Sequence, residues 1–120
     1  MLQKTFTLPN QSSGNSIRVR YTHIDLNARE ASAHFYLYVS ASAPKDCPLC
    51  LIATLRLTGA KFDEYFSAEA LAALSNPGTD PVRTQFYLAA LANEPVSVGG
   101  GITQTEFADL GGFTDAQSVI

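Results

Sequence analysis

The chain has no tryptophan, one methionine and only two cysteines among 120 residues. Without tryptophan, the large aromatic contacts of a core fall to seven phenylalanines and five tyrosines. Two cysteines exclude a disulfide-stapled scaffold, which needs several pairs in a chain this short. Charge is also scarce: Asp, Glu, Lys and Arg make up 16% of the residues, and the formal net charge is -3. Such a chain has no broad positive field for phosphate backbones, so nucleic acid is not expected as its main partner. Long apolar runs are missing as well. The densest, LCLIA and LAALA, fall far short of the roughly 20 residues that cross a bilayer as a helix, and no membrane partner is expected. The opening MLQKTFTLPNQSS has no apolar run followed by a cleavage pattern and does not read as a signal peptide. The expectation is therefore synthesis in a reducing cytoplasm.

What is present describes one α+β domain. A hydrophobic content of 46% is enough for a core in a chain of single-domain length. After the alternation of Thr5, Phe6 and Thr7, residues 9–16 are turn formers, read as an exposed loop or the end of an N-terminal arm. Ile17, Val19 and Tyr21 then alternate with Arg18, Arg20 and Thr22. The apolar phase shifts after His23 to Ile24 and Leu26, the mark of a bulge or an exchange of faces. Asn27 and Ala28 connect to a second strand, in which Ala31, Ala33, Phe35, Leu37, Val39 and Ala41 oppose Ser32, His34, Tyr36, Tyr38, Ser40 and Ser42. In a third, Leu49, Leu51, Ala53, Leu55 and Leu57 oppose Cys50, Ile52, Thr54, Arg56 and Thr58. The pattern predicts a small antiparallel meander that buries Phe35, Leu37, Val39, Leu55 and Leu57.

The period then changes. Phe62 and Phe66 are one helical turn apart, and Ser67 can cap AEALAAL, with Leu71 and Leu74, up to a stop at SNPG. A second helix opens on Asp80 as N-cap and Pro81 at its first position, carries Val82, Phe86, Ala89 and Ala90 on one stripe flanked by Leu88 and Leu91, and ends at Asn93 and Pro95. Beyond it, glycines at 99–101 and 111–112 interrupt an apolar set of Ile102, Phe107, Leu110, Phe113, Val119 and Ile120. This tail folds back over its own domain or reaches onto a neighbour. The expected organisation is a domain over residues 1–98 with an N-terminal arm, and a Gly-rich C-terminal arm over 99–120.

Chemistry-bearing motifs are sparse. Cys47 and Cys50 in KDCPLCL supply half of a tetrahedral zinc set, and the spacing of His23 and His34 does not specify the other half. A redox CxxC draws its low thiol pKa from a helix N-terminus. This pair instead precedes a leucine-rich strand, so a turn residue at Cys47 and a strand thiol at Cys50 are expected, with no metal and no cofactor. Asp63 and Glu64, beside Lys61, read as the charged opening of a helix. Ser32, His34 and Ser40 share a strand face without a third member of a triad. GGG lacks the Gly-Lys-Ser/Thr continuation of a phosphate-binding loop, and no catalytic residue is assigned. Arg18 and Arg20 share a face that stays wet or holds a partner's carboxylate. Tyr36 and Tyr38, on the polar parity, suit an interface, where a tyrosine buries area and keeps its hydroxyl bonded.

The stretch TLRLTGAKFDEYFSAEALAALSNPGTDPVRTQFYLAAL resembles segments in small structural proteins of tailed bacteriophages, encoded among tail or baseplate genes. The similar features are Leu57-Thr58-Gly59 at a strand end, the aromatic and acidic turn of residues 62–66, and the Asp80-Pro81-Val82 helix start. KTFTLPN followed by IRVRY looks like the leading arm and first strand of such proteins. The resemblance covers about two thirds of the chain as a pattern and brings no catalytic residue. It implies a virion subunit, made in the cytoplasm of a bacterial host, that assembles by symmetric contacts with its own copies and with neighbouring virion proteins. Possible interface residues are Tyr36, Tyr38, Ile102, Phe107, Leu110 and Phe113. One alternative is a protein-binding adaptor outside a particle, separated by its mass in solution. A small enzyme, which would unite His23 or His34 with Cys47, Cys50 or Asp63 and Glu64 in a pocket, is a weaker alternative.

Overall fold

A computed structural model describes residues 1–72 and 80–118. Four strands carry the sheet: β1 (Leu2–Thr7), β2 (Ser13–Asp25), β3 (Glu30–Tyr38) and β4 (Cys50–Thr58). Helices α1 (Ala60–Phe66), α2 (Ala68–Ala72) and α3 (Pro81–Ala92) follow, then β5 (Ser97–Val98), α4 (Gln104–Asp109) and β6 (Gln117–Ser118). The sheet order is β5-β4-β3-β2-β1-β6 and every pairing is antiparallel. The expected α+β fold with a meander at its centre, β2-β3-β4, is what the chain adopts.

Local chemistry sets the β2–β3 turn. The Asp25 carboxylate accepts the N–H groups of Asn27 and Ala28, each at 3.0 Å, and Arg29 closes the turn with φ 52°. Two irregularities then decide which side chains share a face. In β2 the register steps between Val19 and Tyr21, leaving Arg20 as an extra residue. Tyr21 consequently lies opposite His34 instead of continuing the row of Ile17 and Val19. The face exchange thus sits at Arg20, ahead of the position after His23 where the apolar pattern places it. In β4, Ala53 faces Phe35 and Leu51 faces Tyr36, so Ile52 is the extra residue. Ile52 is fully buried and Cys50 packs against the core, while the apolar parity expected through Leu49 and Leu51 moves to the opposite face. Val39 is also corrected: β3 ends at Tyr38, the chain turns away, and Val39 is 56% exposed.

One face of the sheet is the core. Ile17, Val19, Ala31, Ala33, Phe35, Leu37, Ile52, Ala53, Leu55 and Leu57 pack there with Phe62 and Phe66 of α1 and Phe86, Ala89 and Ala90 of α3. Phe62 and Phe66 align at 5.9 Å, and Phe66 meets Phe86 at 4.6 Å between centroids. Asp80 caps α3 by accepting from the Arg83 N–H at 3.2 Å, with Pro81 behind it. The buried Gln85 amide is satisfied by the Tyr65 carbonyl at 2.6 Å. Ser67 caps α2 through the Ala70 N–H. Leu74 and the SNPG stop lie outside the described residues, as do Val119 and Ile120.

Both expected arms are built into the domain. At the N-terminus β1 pairs with β2, and Leu2 and Phe6 are buried. The tail turns at Gly100 and Gly101, φ 71° and 82°, a conformation that favours glycine. It then forms α4 behind a capping box of Thr103 and Glu106, a helix that the glycine-interrupted pattern did not announce. Phe107 stacks on Phe6 at 5.7 Å, Phe113 meets Phe107 edge-on at 5.0 Å, and Phe113 also touches Phe35 at 5.8 Å. The Lys4 ammonium bonds the carbonyls of Leu110 and Gly112 at 2.6 and 2.7 Å and the Asp115 carboxylate. Hydrogen bonding to Lys4 holds the Asp115 carboxyl below its usual pKa. Each buried phenylalanine removes enough apolar surface from water to contribute about 1.5–3 kcal/mol. The tail is therefore part of the core.

Candidate interaction face

The helices cover one side of the meander, and the other side carries a different set of residues. Alternation and the two bulges bring Arg18, Tyr21 and His23 of β2 beside Ser32, His34, Tyr36 and Tyr38 of β3 and Leu51, Thr54 and Arg56 of β4. At its centre the Tyr21 ring meets Tyr36 and His34 edge-on, each at 6.0 Å. The Arg20 guanidinium lies 5.7 Å from both tyrosine rings and 3.9 Å from Asp46. Tyr21 is 55% exposed, whereas Tyr36 and His34 are half-buried. The result is an aromatic and cationic surface on the side of the sheet away from the helices, most open at Tyr21.

One end of this face is closed by the loop of residues 39–49. The Arg18 guanidinium stacks on Tyr38 at 4.2 Å and donates to the carbonyls of Ser40, Ala41 and Ala43 at 3.1, 2.7 and 2.9 Å. The Tyr38 hydroxyl donates to the Lys45 carbonyl at 2.6 Å. Arg18 is thereby committed to its own loop, and Tyr38 is 2% exposed beneath it. Arg18 thus neither lines a wet face nor holds a partner's carboxylate, and Tyr38, expected at an interface, is covered: the loop takes both. At the far end Arg56 pairs with Glu30 at 2.7 Å, and Arg29 pairs with Asp63.

The remaining expected interface residues separate into two groups. Ile102, Phe107 and Phe113 are buried in the core, because the capped turn of α4 and the Lys4 contacts fold them back onto β1. Leu110 is 51% exposed, with its carbonyl held by Lys4. Tyr21, which the sequence pattern puts on the apolar side, belongs to the open face. Only the displaced register at Arg20 reveals it, and that depends on pairing with β3.

The cysteines and acidic residues are scattered. Cys47 is exposed in the loop, its N–H donating to Pro44 at 3.0 Å, and Cys50 is half-buried at the first position of β4. Both are free thiols, and burial pushes the Cys50 pKa up, the reverse of thiol activation. Asp63 is engaged by Arg29, and Glu64 lies 3.7 Å from Lys61. No group of three or more His, Cys, Asp or Glu residues able to hold a metal occurs among the described residues. A cleft of about 220 Å³ between the end of α3 and α4 is lined by Asn93, Glu94, Gln104, Phe107, Phe113 and Thr114, among others. His23, His34, Cys47, Cys50, Asp63 and Glu64 are all outside it. Among the described residues no helix is long and apolar enough to cross a membrane. Compared with family models, with curated proteins and with solved structures, the chain has no match in any of the three.

Proposed function

We propose that this chain is a structural subunit, a small module without catalytic chemistry that joins copies of itself and neighbouring proteins in a larger particle. The observation that carries the reading is the open sheet face, where Arg20, Tyr21, His34 and Tyr36 lie together opposite the helices. Tyrosine and arginine are the residue types that anchor protein interfaces, because they bury area while keeping polar groups bonded. The face stands on strands whose opposite side is the core, so little ordering is lost when a partner arrives. The resemblance to tail and baseplate proteins of phage virions supplies the particle context, in which a rigid subunit repeats one contact under symmetry. An adaptor outside a particle would use the same face for one transient partner.

The test is to place charge on the face. Tyr21→Glu with Tyr36→Glu should lower the light-scattering mass of the full chain across concentrations while leaving its melting temperature nearly unchanged. Unaltered association in a folded double variant would remove this face from the account.

A further inference from the structure

We propose that two copies of this chain join edge to edge through β2, antiparallel about a two-fold axis at Thr22, so that one sheet runs through the dimer. This rests on the reading of the chain as an assembling subunit and assigns the contact. β1 pairs with β2 only as far as Ile17, while β2 continues to Asp25. Beyond Ile17 the Val19 N–H is taken by the Tyr87 hydroxyl at 2.9 Å. From Arg20 to Asp25 no strand among the described residues pairs with that side of β2. Tyr21, Thr22, His23 and Asp25 are exposed there. An unpaired row of backbone donors and acceptors is a template for another strand. The segment RYTHID has neither the proline nor the lysine that commonly blocks such an edge.

The side chains select a second copy as the occupant. Across an antiparallel edge, like faces of the pleat must meet, so Tyr21, His23 and Asp25 of the open face can oppose only residues of that same set. An axis at Thr22 sets Tyr21 of each copy opposite His23 of the other, two aromatic pairs on the open face. It also brings Arg20, the extra residue of the bulge, whose guanidinium stands only loosely by Asp46 of its own loop at 3.9 Å, within one position of Asp25 of the other copy, twice by symmetry. Asp25 spends Oδ1 on the turn, leaving Oδ2 toward that cation. Moving the axis to His23 would instead oppose the two histidines and leave Tyr21 against a carboxylate. Of these two registers, the first matches aromatic with aromatic and sets a cation beside a carboxylate.

A nitroxide on Thr22→Cys, in a Cys47→Ser/Cys50→Ala chain, reads the contact directly. Across the axis the two Cβ atoms stand about 5 Å apart, close enough for spin exchange to broaden the spectrum. The expected result is a mass that rises with concentration, broadening that rises with it, and none for the same label on Thr58→Cys. Asp25→Asn, which keeps the turn acceptor, should raise the dimer dissociation constant roughly 2- to 30-fold, two exposed ion pairs being lost. A mass that rises without broadening at position 22 overturns the edge contact and leaves the assembly reading standing. An Asp25→Asn dissociation constant equal to that of the parent overturns the register. A monomer at every concentration overturns both the contact and the reading.

Discussion

Arg18 illustrates how a surface-patterned residue becomes internal. Its guanidinium meets three loop carbonyls and the Tyr38 ring, so a residue that alternation assigns to an open strand face instead fastens residues 39–49. That loop fixes the environments of the two cysteines. Cys47 stands exposed in it, and Cys50 faces the core opposite Leu37, near Gly100. Burial raises the Cys50 pKa, which lowers its thiolate fraction at neutral pH and slows alkylation. Iodoacetamide followed by mass spectrometry should therefore modify Cys47 first, with Cys50 reacting at a comparable rate only after unfolding. Faster modification of Cys50 in the native chain would contradict the placement of its side chain.

Among the elements, those whose signals are local were legible in the residues. Asp80 and Pro81 start α3 wherever the rest of the chain goes, and Phe62 with Phe66 marks α1 by spacing alone. The meander followed from alternation in β3, whose register with β4 is regular from Glu30 to Phe35. The exchange of faces in β2 was legible from the apolar phase but its position at Arg20 was not, and the bulge at Ile52 was not legible at all, since each is a mismatch with another strand; together they move Tyr21, Leu51, Ile52 and Cys50 between faces. Helix α4 did have a local signal, Thr103 with Glu106, that the surrounding glycines obscured. Of the candidate face, Tyr36 was legible by parity, whereas Tyr21 and the burial of Tyr38 depended on the bulge and the loop. The strand assignment has a simple energetic consequence. Phe35→Ala should cost about 3–5 kcal/mol, because a fully buried ring is lost. Val39→Ala should stay within about 0.5 kcal/mol, because that side chain is exposed past the strand end. Urea denaturation giving comparable losses would contradict the end of β3 at Tyr38.

At the scale of the whole molecule, the two ends of the sequence close on each other. Phe6 of β1 stacks with Phe107, and Lys4 holds the segment from Leu110 to Asp115. Removing everything after Val98 takes Ile102, Phe107 and Phe113 from the core. At about 1.5–3 kcal/mol for each large side chain, that loss is comparable with the roughly 5–15 kcal/mol that holds a domain together. The truncated chain should lose its cooperative melting transition at every protein concentration, as followed by circular dichroism. A truncated chain that melts with the full one would mean that the tail contributes no core. With the tail committed inward, the surfaces left for the proposed association are the open face and the edge of β2. Sedimentation equilibrium of the full chain tests that claim most directly. The weight-average mass should climb with concentration from the 12.9 kDa of one chain toward a multiple of it. A mass of 12.9 kDa at every concentration would contradict it.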